Sequence, residues 1–325
     1  MIRRTRARSL KPSTVSSDHG DMLHDARARG ALNPNYGKGT HTIDTGDFVD
    51  PDEVITWLRA RFGSKDYRPP VLPAVAMQVH NLTRRNDTAI ADVVALVRRD
   101  PLLAADVLRR AQSPMFATKV APRTLEDAAS RLGMNGLRDL VFEVALGGKV
   151  FRAKGFEEPM DALRKHSLLV AYCTQAVAQM TRTPGESAFL TGLLHDVGLL
   201  AALHALAEGA RGKPMDLSFS ASALRDVHVE AGEVVVRLWN LPDEIRTVIS
   251  AHHYPQIGQT VHPLAACVVL AESIAVTLGG PTRAGDVELE QTSPAAVSLA
   301  QRALGMDDHN VGRLTEHLRK SLGGA

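Results

Sequence analysis

Thirteen histidines are spread unevenly along this chain of 325 residues, and seven of them fall between His166 and His262. Five groups between His166 and Glu272 combine residue types that can hold a metal: His166, the pair His195-Asp196, His228, the pair His252-His253, and Glu272. Neutral imidazole nitrogens together with carboxylate oxygens suit borderline divalent ions, here Fe, Mn or Zn, as one ion or two. Neighbouring residues on a helix point about 100° apart, yet at a helix end a His-Asp or His-His pair can still converge on one ion or on two adjacent ones. A pair of ions is the arrangement that suits phosphoester hydrolysis. Each piece alone is weak. His24-Asp25 repeats the His-Asp dipeptide outside the group, and a lone histidine on an apolar helix is ordinarily a hydrogen-bonded core residue, the reading given to His80, His204 and His262. The signal is the order of the five groups, each on its own helix or helix end.

Those helices are legible from their punctuation. "DPDEVITWLRARF" opens with Asp50 as a cap and Pro51 in the first turn, then sets Val54, Leu58 and Phe62 at helical spacing. "TAIADVVALVRRD" stops where Pro101 starts "PLLAADVLRRAQS". Thr124 and Asp127 form a capping-box start for "RTLEDAASRLG", which is expected to close at Gly133 before "MNGLRDLVFEVALGGK". A second group follows, including "DALRKHSLLVAYCTQAVAQMT", "ESAFLTGLLHDVGLLAALHALAEG", "VHVEAGEVVVRLWN", "PDEIRTVISAHH" and "HPLAACVVLAESIAVTL". Thr292-Ser293-Pro294 starts a further helix, and "VGRLTEHLRKSL" ends the chain amphipathically. The expectation is an all-α protein of two packed helical groups, residues 49–155 and 156–280, with a helical extension over 281–325. Residues 1–48, polar and arginine-rich at the start, read as a disordered tail.

Composition narrows the classes further. Apolar residues make up 44% of the chain but aromatics only 4%, so alanine, leucine and valine build the core, which favours helices over sheets. The net charge of +2 gives no argument for a polyanion, and a nucleic-acid partner is not expected. Cys173 and Cys267 both lie in apolar helical patterns and read as buried thiols of a reducing compartment. No run of about 18 uninterrupted apolar residues marks a membrane span. The N-terminal arginines lack the apolar stretch of a secretory signal, so a cytoplasmic location is expected.

Longer stretches carry a family likeness. "RPPVLPAVAMQVHNL", "DPLLAADVLRRAQSPMF" and "APRTLEDAASRLGMNGLRDLV" precede "KHSLLVAYCTQ", "FLTGLLHDVGLL", "VHVEAGEVVVRLWNLPDEIRTVISAHHYP" and "PLAACVVLAESIA". Over residues 68–278 the chain resembles the HDOD (HD-related output domain) family, bacterial signalling modules related to the HD superfamily of metal-dependent phosphohydrolases and its cyclic-dinucleotide-hydrolysing branch. The resemblance implies that His166, His195, Asp196, His228, His252 and His253 stand where the catalytic relatives have metal ligands. Glu272 stands where they have Asp, one methylene longer. Leu199 stands where the cyclic-dinucleotide enzymes have a phosphate-contacting Lys, and Tyr254-Pro255-Gln256 replaces the segment that follows their paired histidines. It implies a signal-transduction output module acting through contacts with other signalling proteins, with or without a bound structural metal. The alternative it leaves is an active metal-dependent phosphohydrolase on a nucleotide or cyclic dinucleotide.

Overall fold

The computed structural model describes residues 50–322 apart from residues 86, 114–115, 117–120, 148–152, 186, 211–216 and 286; the tail expected over 1–48 lies outside the described residues. Local chemistry starts the helices where the sequence places their caps. Asp50 Oδ1 accepts from the Glu53 N–H at 3.0 Å and begins α1 (Pro51–Gly63). After α2 (Ala74–Thr83) and α3 (Ile90–Val97), Asp100 accepts from the N–H groups of Leu102 and Leu103 to begin α4 (Pro101–Ala111). Thr124 and Asp127 exchange backbone-to-side-chain bonds of 3.0 and 3.1 Å at the start of α5 (Leu125–Ala145). Each such cap satisfies donors that the first turn leaves without partners. The first helical stretch stops at Gly133, as the sequence leads one to expect. Gly133 takes φ 70°, and helix resumes at once, so two helical stretches meet there.

Helices α2 to α5 share one core, with Val79, Val93, Val97, Val107, Leu137 and Val141 fully buried. The next elements are α6 (Glu157–Thr181), α7 (Ala188–Leu194), α8 (Val197–Ala210), α9 (Leu217–Leu238) and α10 (Asp243–Ala251). Helix α1 packs against α8 and α9, so Val54 and Leu58 belong to the core that holds Leu203, Leu206, Val227 and Val235. The Trp239 indole N–H donates to the Pro70 carbonyl at 3.0 Å and pins the α1–α2 connection to the end of α9.

A third core surrounds α11 (Pro263–Thr277), an almost wholly apolar helix that packs on α6. It is capped by His262, whose Nδ1 accepts from Ala265 N–H at 3.3 Å. Helices α12 (Pro294–Leu304), started by Ser293 as the sequence suggests, and α13 (Asp308–Leu322) close over α11. Two antiparallel pairs of two-residue strands, β1 (Gln256–Ile257) with β2 (Thr260–Val261) and β3 (Arg283–Ala284) with β4 (Val287–Glu288), are the strands among the described residues. The architecture is all-α. The α7–α8 stretch, Ala188–Ala210, is long and apolar enough to cross a membrane, but nearly all of it is buried inside the protein.

Candidate metal centre

The apolar run carrying His195 and Asp196 reads in sequence as one helix, but the structure breaks it at those two residues, between α7 and α8. Two glycines set that junction in place. A Cβ on Gly192 would lie 2.6 Å from Thr174 Oγ1 and 2.8 Å from the Ala171 Cα of α6, and one on Gly198 would lie 1.7 Å from the His228 carbonyl oxygen of α9. The missing side chains let the junction approach α6 on one side and α9 on the other. His166 from α6, His228 from α9, His252 and His253 after α10, and Glu272 from α11 complete the ring of elements around it. All seven residues expected to hold a metal therefore meet. They form two groups: His166, His195, Asp196 and Glu272, and His228, His252 and His253, with one donor atom from each residue lying within 4.8 Å of the others in its group.

The orientation of the rings suits ligation. Nδ1 of His195 faces the Gly192 carbonyl at 2.7 Å, Nδ1 of His252 the Ile249 carbonyl at 2.6 Å, Nδ1 of His228 the Arg225 carbonyl, and Nδ1 of His166 the Pro281 carbonyl at 3.1 Å. A carbonyl oxygen can only accept, so each Nδ1 carries a hydrogen and donates it. In a neutral ring that leaves Nε2 with a bare lone pair, the arrangement by which outer hydrogen bonds aim histidine ligands. These Nε2 atoms crowd together: His228 Nε2 is 3.3 Å from His252 Nε2 and 2.8 Å from His253 Nε2. His195 Nε2 comes within 2.6 Å of Glu272 Oε1, yet not in the alignment of a hydrogen bond. The His228 and His252 lone pairs face one another with the Asp196 carboxylate beside both, so the donor set fits divalent metal.

Asp196 joins the groups. Its Oδ2 lies 3.3 Å from His195 Nε2 and 3.9 Å from His166 Nε2, while Oδ1 lies 3.4 Å from His252 Nε2 and 3.7 Å from His228 Nε2. One oxygen faces each group, as a bridging carboxylate would. Burial disfavours charge throughout. It holds His228 below the usual imidazole range despite the opposing pull of Asp196, and with the help of His252 it takes His253 down to about 3. At His195 burial is outweighed by Asp196 and Glu272, which raise the imidazole well above its ordinary value, and both carboxyls are held well below theirs by His195.

One residue of the site has no counterpart in the sequence reading. Glu290, just past β4, places Oε2 3.4 Å from His253 Nε2, and about half of its side chain is exposed. It is a single acid in a polar connection, with no periodicity or cap to distinguish it; only the turn of the β3–β4 hairpin brings it to the second group. Leu199, one turn beyond Asp196, is buried in the core and supplies no charge. Among the histidines read as core residues, His262 is the α11 cap and His204 lies partly exposed beside Glu208 at 3.8 Å. His80 differs from the expectation. It is buried edge-on to Phe142, but neither ring nitrogen has a hydrogen-bond partner among the described residues.

Comparison with known proteins places this geometry in context. The model of the HDOD domain family matches residues 70–255. An uncharacterised protein of Treponema pallidum is 26% identical over 228 residues, 66% of this chain and 43% of that protein. Ribonuclease Y of Thermus thermophilus is 26% identical over 236 residues, 72% of this chain and 36% of the enzyme. The chain thus spans less than half the length of these relatives. Among solved structures, an HDOD domain protein of unknown function from Geobacter sulfurreducens gives a TM-score of 0.63 at 23% identity, covering 85% of this chain and 96% of the other. A protein of Shewanella amazonensis, provisionally named a metal-dependent phosphohydrolase, gives 0.64 at 18% identity, covering 83% and 98%. At these identities the solved structures speak for the fold alone.

Proposed function

The chain belongs to the HDOD domain family, and from that premise we propose that it is a signal-transduction module built round a divalent-metal centre and acting through contacts with other signalling proteins. The observation that carries this reading is the closure of the site. His166, His195, Asp196, His228, His252 and Glu272 are each at most 5% exposed, while His253 and Glu290 reach solvent. The first group would hold one ion through His166, His195, Asp196 and Glu272. The second would hold another through His228, His252 and His253, with Asp196 shared. When bound, such ions supply charge neutralisation and Lewis acidity; in this reading their main work is to tie five helices together. Leu199 leaves neither lysine nor arginine on α8 to grip a phosphate beside Asp196. That supports a regulatory role over turnover.

The second reading is a metal-dependent phosphohydrolase acting on a nucleotide or cyclic dinucleotide. It is favoured by the completeness of the donor set and by the position of Asp196 between its halves. One experiment separates the two. The full chain is reconstituted with Mn, Fe or Zn, its metal content measured, and hydrolysis of cyclic dinucleotides and nucleotides followed beside a His195→Ala variant. The regulatory reading expects up to two ions per chain, loss of metal in the variant and no turnover. Turnover that disappears with His195 moves the assignment to the enzyme, and absence of any bound ion refutes both metal roles. A pull-down with and without cyclic dinucleotide then asks for the partner.

A further inference from the structure

A cavity of about 530 Å³ lies between α4 and α5 on one side and α6, α7 and α8 on the other. Its volume falls within the roughly 300–1,000 Å³ of small-molecule sites. The interior is mostly aliphatic: Leu168, Leu193, Leu194, Val197 and Leu200 come from the second helical group and Val144 from α5. Two hydroxyls line it, and neither is satisfied by the protein. Ser167 Oγ and Ser113 Oγ are buried atoms with no hydrogen-bond partner among the described residues, and Ser167 is only 2% exposed. A buried hydroxyl without a partner is costly unless something else bonds to it.

The charged groups at the cavity decide the kind of ligand. Four cations, Arg109, Arg110, Arg164 and Lys165, stand against three carboxylates, Asp106, Glu143 and Asp161. Glu143 is already engaged, accepting from Tyr172 Oη–H at 2.6 Å and from Arg110. Arg164 and Lys165 both lean on the single half-exposed Asp161, at 3.7 and 2.8 Å. The exposed Lys165–Asp161 pair holds its partners weakly, so Lys165 can turn to an incoming anion at small cost.

We propose that this cavity is a binding site for a small amphipathic anion, with an aliphatic or aromatic body among the leucines and valines and an acidic head at Arg164 and Lys165. The body covers apolar wall that would otherwise face water, and a polar atom along it meets the Ser167 hydroxyl. The site does not depend on the metal reading, but it adjoins the metal centre. Ser167 follows His166, Leu194 precedes His195, and Val197 follows Asp196, so successive residues of the same turns line the cavity and hold the ligand set.

The test uses the full chain and a fluorescent probe of this chemistry, 1-anilinonaphthalene-8-sulfonate, with decanoate and its uncharged counterpart decanol as competitors. One saturable probe site is expected, displaced by decanoate much better than by decanol. Reversing both cations, with Arg164→Glu and Lys165→Glu together, should weaken probe and decanoate roughly tenfold, in the range of a lost charge-assisted contact. Val144→Phe, which fills the cavity from α5, should abolish binding; an unchanged melting temperature qualifies each variant. Failure to saturate overturns the proposal, as does equal displacement by decanol. So does binding that persists in the charge-reversed chain at full affinity, a measurement that stands even if Val144→Phe does not fold.

Discussion

His80 carries a cost that changes with pH. Burial, with a further push from Arg138, lowers its pKa to about 4, against 6.5 for an exposed imidazole. Below pH 6.5 the unfolded chain takes up a proton that the folded chain refuses until about pH 4. Stability from this residue is therefore present above 6.5 and is lost as pH falls towards 4, by about 3 kcal/mol in all. Denaturant titrations of the chain and of His80→Leu at pH 7 and pH 4.5 should differ in slope against pH, with the variant losing less on acidification. Glu290 gives a second expectation at this scale. If it steadies the second histidine group, Glu290→Gln should weaken one ion by roughly tenfold, in the range of outer partners of metal ligands, and leave the other unchanged, as read by calorimetric metal titration. Equal weakening of both ions would show a general field effect instead. Of the residues in the centre, seven were legible in order from the sequence, because imidazoles and carboxylates on apolar helices stand out. Glu290 was not, because a polar residue in a polar connection carries no pattern.

At the scale of elements, the close crossings at Gly192 and Gly198 govern the centre. Gly198→Ala would drive a methyl group into the His228 carbonyl, so α8 must move off α9 and carry Asp196 away from His228. Overpacking of this kind costs roughly 1–3 kcal/mol. The melting temperature and the metal content should fall together, whereas Gly63→Ala, which meets nothing within 4 Å, should change neither. Helix starts were readable because caps are local: Asp50 with Pro51, Thr124 with Asp127 and Ser293 with Pro294 each satisfy backbone groups within one turn. The break at His195-Asp196 was not, since the residues on both sides are uniformly apolar and period alone shows no interruption. Nor did the amphipathic face of α1 reveal its partner. A stripe of Val54, Leu58 and Phe62 announces burial without naming the surface that provides it, and only the tertiary structure assigns it to α8 and α9.

For the molecule as a whole, the ligand set links elements that the chain keeps far apart. Residues from His166 to Glu272 are drawn from α6, the α7–α8 junction, α9, α10 and α11, so an ion bound only by the folded form stabilises all of them at once. At a free ion concentration 1,000 times the dissociation constant this amounts to about 4 kcal/mol. Chelation of the metal-loaded chain should lower the melting temperature, and the drop should vanish in His195→Ala; an unchanged melting temperature would mean that the ions add nothing to the fold. Cys173 and Cys267 sit within the same packing as free buried thiols, with burial pushing Cys173 up to about 12, so neither competes for the metal as a thiolate near neutral pH.

Three of the imidazoles are held by a carbonyl three residues earlier in their own helix: Gly192 for His195, Arg225 for His228 and Ile249 for His252. A ring tethered to the turn beneath it rotates with that turn. Two of these tethers lie at helix ends, where winding is cheapest to alter. A partner protein pressing on α10 would then need no path to the buried ligands, because a slight tightening of its terminal turn would re-aim a lone pair and loosen an ion held there. In such a module, mechanical load on the surface and occupancy at the centre would be two readings of one quantity.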